Sequence, residues 1–200
     1  MKTNTYVDLL RHGDTVGGAC FRGSSDDPLT ELGWRQLWIA IEKNESCWDR
    51  IITSPLVRCA DFSKSLGQKL SIPVIHDEQF KEMHFGAWEG CSASDLMTMD
   101  ADALSKFWND PVSYTPPQAE PLLDFERRVM SGWQNILSRY SGERILLITH
   151  GGVIRLLLCH IHQRPLQRIL EIEVGHASMH GTRVDHANNC TNSEFIEIKK

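Results

Sequence analysis

The chain has 200 residues, of which 41% are hydrophobic and 24% charged, with a formal net charge of −5 at pH 7. That balance suits one globular domain, 1–200, with a sizeable core. It argues against a nucleic-acid partner, which would ask for a basic stripe facing the phosphate backbone.

The first element in chain order is an apolar run through Val7, Leu9 and Leu10 that reads as a strand and opens directly onto Arg11-His12-Gly13. Open α/β sheets bind ligands where strands finish, so a cation and an imidazole placed there can hold a phosphate and attack it. A histidine hydrogen-bonded in a loop fits the same residues. After a polar loop from Gly23 to Pro28, Thr30 can cap a helix whose Trp34, Leu37, Trp38 and Ile41 share one face. Asp49 to Thr53 reads as a short buried strand. Ser54 as N-cap and Pro55 in the first helical position then start a second helix, with Arg58 in its opening turn. A helix N-terminus favours an anion, which suits Arg58 as a phosphate ligand, with a surface arginine as the alternative. Ile72 to Ile75 continues an alternation of strand and helix that predicts parallel βαβ connections.

Glu78 to Gly90 mixes carboxylates with aromatics and glycines, a composition that can shelter one carboxyl. Such a group, partly withdrawn from water beside a phosphate, holds a proton that it can give to a leaving alkoxide. Glu82 is the candidate, whereas Glu78 and Glu89 read as solvated or bonded to loop backbone. Ser94 to Trp108 reads as a helix that caps the site, and Tyr114 to Pro121 as a proline loop beside it. Trp88, Phe107 and Trp108 read as core, with stacking on a base as the alternative. A long helix follows, with Phe125, Val129, Trp133, Leu137 and Tyr140 on its apolar face. It leads to a second apolar strand that ends in Thr149-His150-Gly151-Gly152, which predicts two histidines converging at one sheet edge. Val153 to Ile161 reads as a helix, and short strands near Ile172-Val174 and Phe195-Ile198 complete the sheet. His176, His180, His186 and Cys190 can be drawn as a zinc site, but this region reads as strand and turn rather than the helix such spacing needs, so no metal is expected. No apolar stretch is long enough to span a bilayer and no leader pattern opens the chain. The six cysteines lack CxxC spacing, so reduced thiols in the cytoplasm are the expectation.

Five blocks, taken in order, resemble the histidine phosphatase superfamily, also called phosphoglycerate mutase-like. They are Leu10-Arg11-His12-Gly13-Asp14-Thr15, Asp27-Pro28-Leu29-Thr30-Glu31-Leu32-Gly33, Thr53-Ser54-Pro55-Leu56-Val57-Arg58-Cys59-Ala60, Glu82-Met83-His84-Phe85-Gly86-Ala87-Trp88-Glu89-Gly90 and Thr149-His150-Gly151-Gly152-Val153-Ile154-Arg155. The resemblance implies an α/β fold, a three-layer αβα sandwich around a mainly parallel sheet. It also implies a phosphomonoesterase that needs no metal or other cofactor and acts on a small molecule. On the matching positions, His12 is the nucleophile that forms a phosphohistidine. Arg11, Arg58 and His150 hold the phosphoryl oxygens, with Gly151 beside them, and Glu82 protonates the leaving oxygen and then activates water. Within the superfamily the chain is most similar to the α-ribazole phosphatases of cobalamin nucleotide-loop assembly, through its compact size, the Asp95 to Asp110 insert and Glu120 to Val129. A sugar-phosphate phosphatase, a mutase-type phosphotransferase and a noncatalytic phospho-ligand module are the alternatives. Gly18 stands where many members have an asparagine, so Arg22 or backbone N–H groups of the surrounding loop are expected to make that phosphate contact. Ala119-Glu120-Pro121 likewise replaces a frequent Gly-Glu-Ser. Neither a nucleic acid nor a membrane is an expected partner, and the oligomeric state, a homodimer included, is left open.

Overall fold

Strands that are aliphatic on both faces need cover on both sides. The computed structural model of the chain, which describes residues 4–44, 46–185 and 193–196, supplies that cover. Strands β1 (Asn4–Arg11), β2 (Arg50–Thr53), β3 (Val74–His76), β4 (Arg144–Thr149), β5 (Met179–Asp185) and β6 (Ser193–Ile196) form one sheet in the order β3-β2-β4-β1-β5-β6. The pairs β1/β4, β4/β2 and β2/β3 are parallel, and β5 and β6 add on antiparallel.

Leu10, Ile51, Leu146 and Ile148 face one way, against Leu37 and Ile41 of α1 (Glu31–Lys43) and Phe62 and Leu66 of α2 (Val57–Leu70). Val7, Leu9, Ile145 and Leu147 face the other way, into a cluster with α3 (Ala93–Asn109), α4 (Leu122–Arg139) and α5 (Gly151–Ile161). The sheet therefore lies between two helical layers, the expected αβα sandwich. A buried carboxylate enters the α1/α2 face: that of Asp8, which accepts the Trp48 indole N–H at 2.7 Å. Burial still pushes its pKa up.

Helices α1 and α4 follow their sequence signals closely. Thr30 caps α1 by accepting the Gly33 N–H. Phe125, Val129, Trp133 and Leu137 form the buried face of α4, and Tyr140 is buried just beyond it. Helix α3 starts in a Ser92/Asp95 capping box and is broken at Asp100 (φ −158°, ψ 76°), whose carboxylate accepts the Ala103 N–H and so caps the second half afresh. No helix among the described residues is long and apolar enough to cross a membrane.

Two expectations are corrected. Helix α2 begins at Val57, not at Pro55, because Leu56 stays extended (φ −63°, ψ 137°) and itself becomes the N-cap. The Val57 N–H is taken instead by the Asp26 carboxylate at 2.7 Å. Ile172-Val174 is not a strand but a crossing segment after a 3-10 turn at Leu166–Glu171. Its carbonyls are spent on arginines: Ile172 accepts from Arg155 and Val174 from Arg11. Of the expected Phe195-Ile198 strand, residues through Ile196 belong to β6 and the last two lie outside the described residues.

This topology creates the site. β1 and β4 are parallel neighbours, with Arg11 paired to Thr149 at their carboxyl ends. β1 runs on toward α1 on one face and β4 directly into α5 on the other, so a crevice opens between the two strand ends.

Candidate active site

His12 and His150 emerge side by side from those strand ends, their ring centroids 5.3 Å apart. The His12 N–H donates to the Thr149 carbonyl at 2.9 Å, continuing the β1/β4 ladder by one residue. The two histidines therefore meet as the paired strand-end pattern predicts. Gly13 is required at this turn because a Cβ there would run into the Gly33 carbonyl at the start of α1.

The two rings have different tasks. Nδ1 of His12 lies 2.8 Å from the Gly13 carbonyl, which can only accept, so Nδ1 carries the proton and Nε2 of the neutral ring keeps its lone pair. His150 is fully buried. Its Nδ1 accepts from Arg58 Nε at 3.2 Å, which leaves Nε2–H to donate to the Ser54 hydroxyl at 2.7 Å. His150 thus joins Arg58 to Ser54 behind the strand ends. Ser54, expected as a helix cap, is turned inward to complete that relay.

Burial, and then the positive charge of Arg11 and Arg58, hold both rings well below the ordinary histidine value of 6.5, against the Gly13 hydrogen bond in the case of His12. With folded-state pKa values depressed, the unfolded chain takes up these protons first as pH falls. The stability due to the neutral rings is therefore complete above pH 6.5 and is lost on the acid side. Urea denaturation across pH 8 to 5 is expected to show stability falling by up to about 1.4 kcal/mol per proton and pH unit below that value. A His150→Asn variant should flatten the slope, and an unchanged slope would place the titration elsewhere.

Arg11 carries one bond to the protein from Nη1, to the Val174 carbonyl at 2.6 Å, while its buried Nε has no partner. Burial lowers its pKa most, opposed by Glu82 and reinforced by Arg155, Arg22 and Arg58, though it stays a cation. A buried guanidinium N–H without a partner calls for an acceptor, and an anion would supply one. Arg58 is 1% exposed and held on three sides: its Nη groups donate to Ser25 O at 2.6 Å and Gly23 O at 2.8 Å, and its Nε to His150. Arg22 donates from Nη2 to Gly18 O and Val16 O, so it shapes the glycine loop as well as reaching the site. Its buried Nε lies 3.2 Å from Asp27 without donating a hydrogen bond.

The Glu82 carboxylate sits across the start of α5, accepting the Gly152 N–H and the Met83 N–H at 3.1 Å each. A Cβ on residue 152 would collide with it, so Gly152 makes room for this carboxyl. Gly151, the first residue of α5, is buried against Arg11 and Arg155. Glu89 behaves as a loop anchor: it accepts from the backbone and hydroxyl groups of Ser24 and Ser25 and from the Phe85 N–H.

Arg11, His12, Arg22, Arg58 and Glu82 line a cleft of about 210 Å³ together with apolar side chains, Phe21, Phe85, Phe107, Trp108 and Leu170 among them. Phe107 and Trp88 are core as expected, but Trp108 is not: it is 46% exposed at the cleft. Arg155, a residue given no role by its motif, also lines the cleft, one helical turn beyond Gly151. A single cation in an otherwise apolar helix is the signal that marks it. His176 stands 5.7 Å from His12, ring to ring, while His186 and Cys190 of the imagined zinc set lie outside the described residues.

The family description that matches, over residues 7–194, is histidine phosphatase superfamily (branch 1). Among individual relatives, the bifunctional protein Rv2228c of Mycobacterium tuberculosis is 33% identical over 160 residues, covering 78% of this chain but 44% of the relative, so the chain spans less than half of that protein's length. The uncharacterized phosphatase PhoE of Bacillus subtilis is 30% identical over 98% of this chain and 91% of its own. The alpha-ribazole phosphatase structure from Shigella flexneri superimposes with a TM-score of 0.83 at 25% identity, covering 96% of this chain and 94% of that one.

Proposed function

Because this chain belongs to the histidine phosphatase superfamily, we propose that it is a phosphomonoesterase that works through a phosphohistidine on His12. The observation that carries the reading is the pairing of the unshared Nε2 of His12 with the unpartnered buried Nε of Arg11 in one cleft. In the proposed reaction the Nε2 lone pair attacks phosphorus in line. The P–O ester bond breaks, and the leaving oxygen takes the carboxyl proton of Glu82. Water then attacks the phosphohistidine, gives its proton to the Glu82 carboxylate, and the P–N bond breaks to release phosphate and restore His12.

The charge of the transferring phosphoryl group spreads over its equatorial oxygens, where fixed cations lower the barrier most. Arg11 and Arg58 are placed for this, with His150 acting through Arg58 and Arg22 shaping the rim. Gly151 and Gly152 bring the first turn of α5 close, so its N-terminal dipole favours the same anion.

The proposed leaving group is the nucleoside of α-ribazole 5′-phosphate, or a cobalamin 5′-phosphate. Similarity to the alpha-ribazole phosphatase of Shigella flexneri supports this, as do the aromatic side chains lining the cleft, which suit a flat apolar base better than a sugar. A panel comparing kcat/KM is expected to favour α-ribazole 5′-phosphate at least tenfold over phosphoserine and phosphoglycerate. A preference for the small hydrophilic esters, or transfer of phosphate between substrates in place of hydrolysis, would move the assignment to a sugar phosphatase or a mutase. Trp108→Ala is expected to raise KM for an aromatic nucleotide ester about five- to tenfold, the size of one stacking contact, and to leave glycerol phosphate unchanged. Equal effects on both substrates would remove Trp108 from the leaving-group site.

A further inference from the structure

We propose that Arg128, held by Glu120, is a positioning residue for Glu82, an inference that rests on Glu82 being the proton donor. Arg128 lies on α4 and does not line the cleft. A guanidinium has five N–H bonds, and here each has a partner. Nη1 donates to Gln79 O at 2.9 Å and Lys81 O at 2.8 Å, and Nη2 to Glu82 O at 3.0 Å. Nη2 and Nε also donate to the two oxygens of Glu120, at 2.9 and 2.7 Å. Both side chains are largely sheltered, 22% and 18% exposed.

Glu82 needs such a device. Beyond the 3-10 turn at Glu78–Phe80 it sits in neither helix nor strand, so its carbonyl and that of Lys81 have no ladder to join. The Arg128 fork supplies the missing donors and fixes the backbone from the α4 side, while Gly152 fixes the carboxyl from the α5 side. Glu120 adds a second tie, its Oε2 lying 3.4 Å from the His84 N–H just past the turn. Two helices thus hold opposite ends of one residue, and this sets where its proton can be delivered. Lysine keeps the charge but not the planar fork, so it cannot reproduce the arrangement.

The test compares Arg128→Lys, Glu120→Gln, Glu82→Gln and the double variant Glu82→Gln/Arg128→Lys on p-nitrophenyl phosphate, whose leaving group needs no proton, and on an alkyl phosphate, whose leaving group does. Arg128→Lys is expected to slow the alkyl ester about tenfold more than the aryl ester, part of the range a general acid contributes. Glu120→Gln should show a smaller bias in the same sense, and it secures the test if the lysine variant folds poorly. Adding Arg128→Lys to Glu82→Gln should leave the alkyl-to-aryl ratio where Glu82→Gln alone puts it.

Equal slowing of both esters by Arg128→Lys and by Glu120→Gln, with Glu82→Gln still discriminating, would overturn the positioning role and leave Glu82 as the acid. A bias that stacks on that of Glu82→Gln in the double variant would also overturn it. If Glu82→Gln itself slows both esters equally, the acid assignment fails first and this proposal with it, an outcome read from that single variant alone.

Discussion

His12→Ala is expected to lower kcat by about 10³-fold or more, the scale on which loss of a nucleophile registers, while leaving the fold and phosphate affinity close to those of the parent. The ring makes one hydrogen bond to the protein, to its neighbour's carbonyl, so its removal leaves no distant group unsatisfied. In the proposed site Arg11 and Arg58 remain to hold the anion. Competitive inhibition by inorganic phosphate should therefore persist in a catalytically silent variant. Activity within tenfold of the parent would remove His12 from the chemistry. Loss of inhibition together with activity would point to a collapsed site instead.

Arg58→Ala should cost both stability and rate. The side chain is 1% exposed, and its removal leaves Gly23 O, Ser25 O and His150 Nδ1 without their donor. Buried acceptors stripped of a charged donor, together with the cavity, imply a loss of about 3–5 kcal/mol. The rate should fall by more than about 10²-fold, because one of the fixed cations of the proposed phosphoryl site is gone. Arg58→Lys separates the two effects. Its single ammonium cannot span the Gly23 and Ser25 carbonyls and His150 together, so much of the stability loss should remain while some rate returns. Chemical denaturation of both variants beside kinetics on one substrate measures this. An Arg58→Ala protein as stable as the parent would contradict the packing described for this residue.

Both predictions start from residues that were legible in the sequence. β1 and β4 are short aliphatic runs that stop at His-Gly, and the reason is physical: a strand aliphatic on both faces has to be central, and central parallel neighbours end side by side. The glycines beside those histidines let the start of α1, Arg11 and Glu82 close in on the strand ends. Arg58 was readable from its place near a helix N-terminus, and Glu82 from its sheltered loop. What local pattern did not show depends on contacts between distant segments. Ser54 carries the signature of a cap, but its hydroxyl is claimed by His150, ninety-six residues away. Ile172-Val174 has the composition of a strand, yet its carbonyls are taken by Arg155 and Arg11, which no periodicity records. Trp108 follows buried Phe107 in α3 and lines the same cleft, yet it is 46% exposed, a distinction set by where the helix docks. The double role of Arg22, as loop brace and cleft wall, comes from the turn at Gly17 and Gly18, both at positive φ.

The most direct measurement is a rapid quench of the reaction with a radiolabelled phosphomonoester, followed by peptide mapping of the trapped protein. A label that is stable in base, labile in acid and located on the peptide carrying His12 is the expected result. A label on His176 or His150, or quenched protein without any covalent phosphate while the burst of alcohol release is under way, would contradict it.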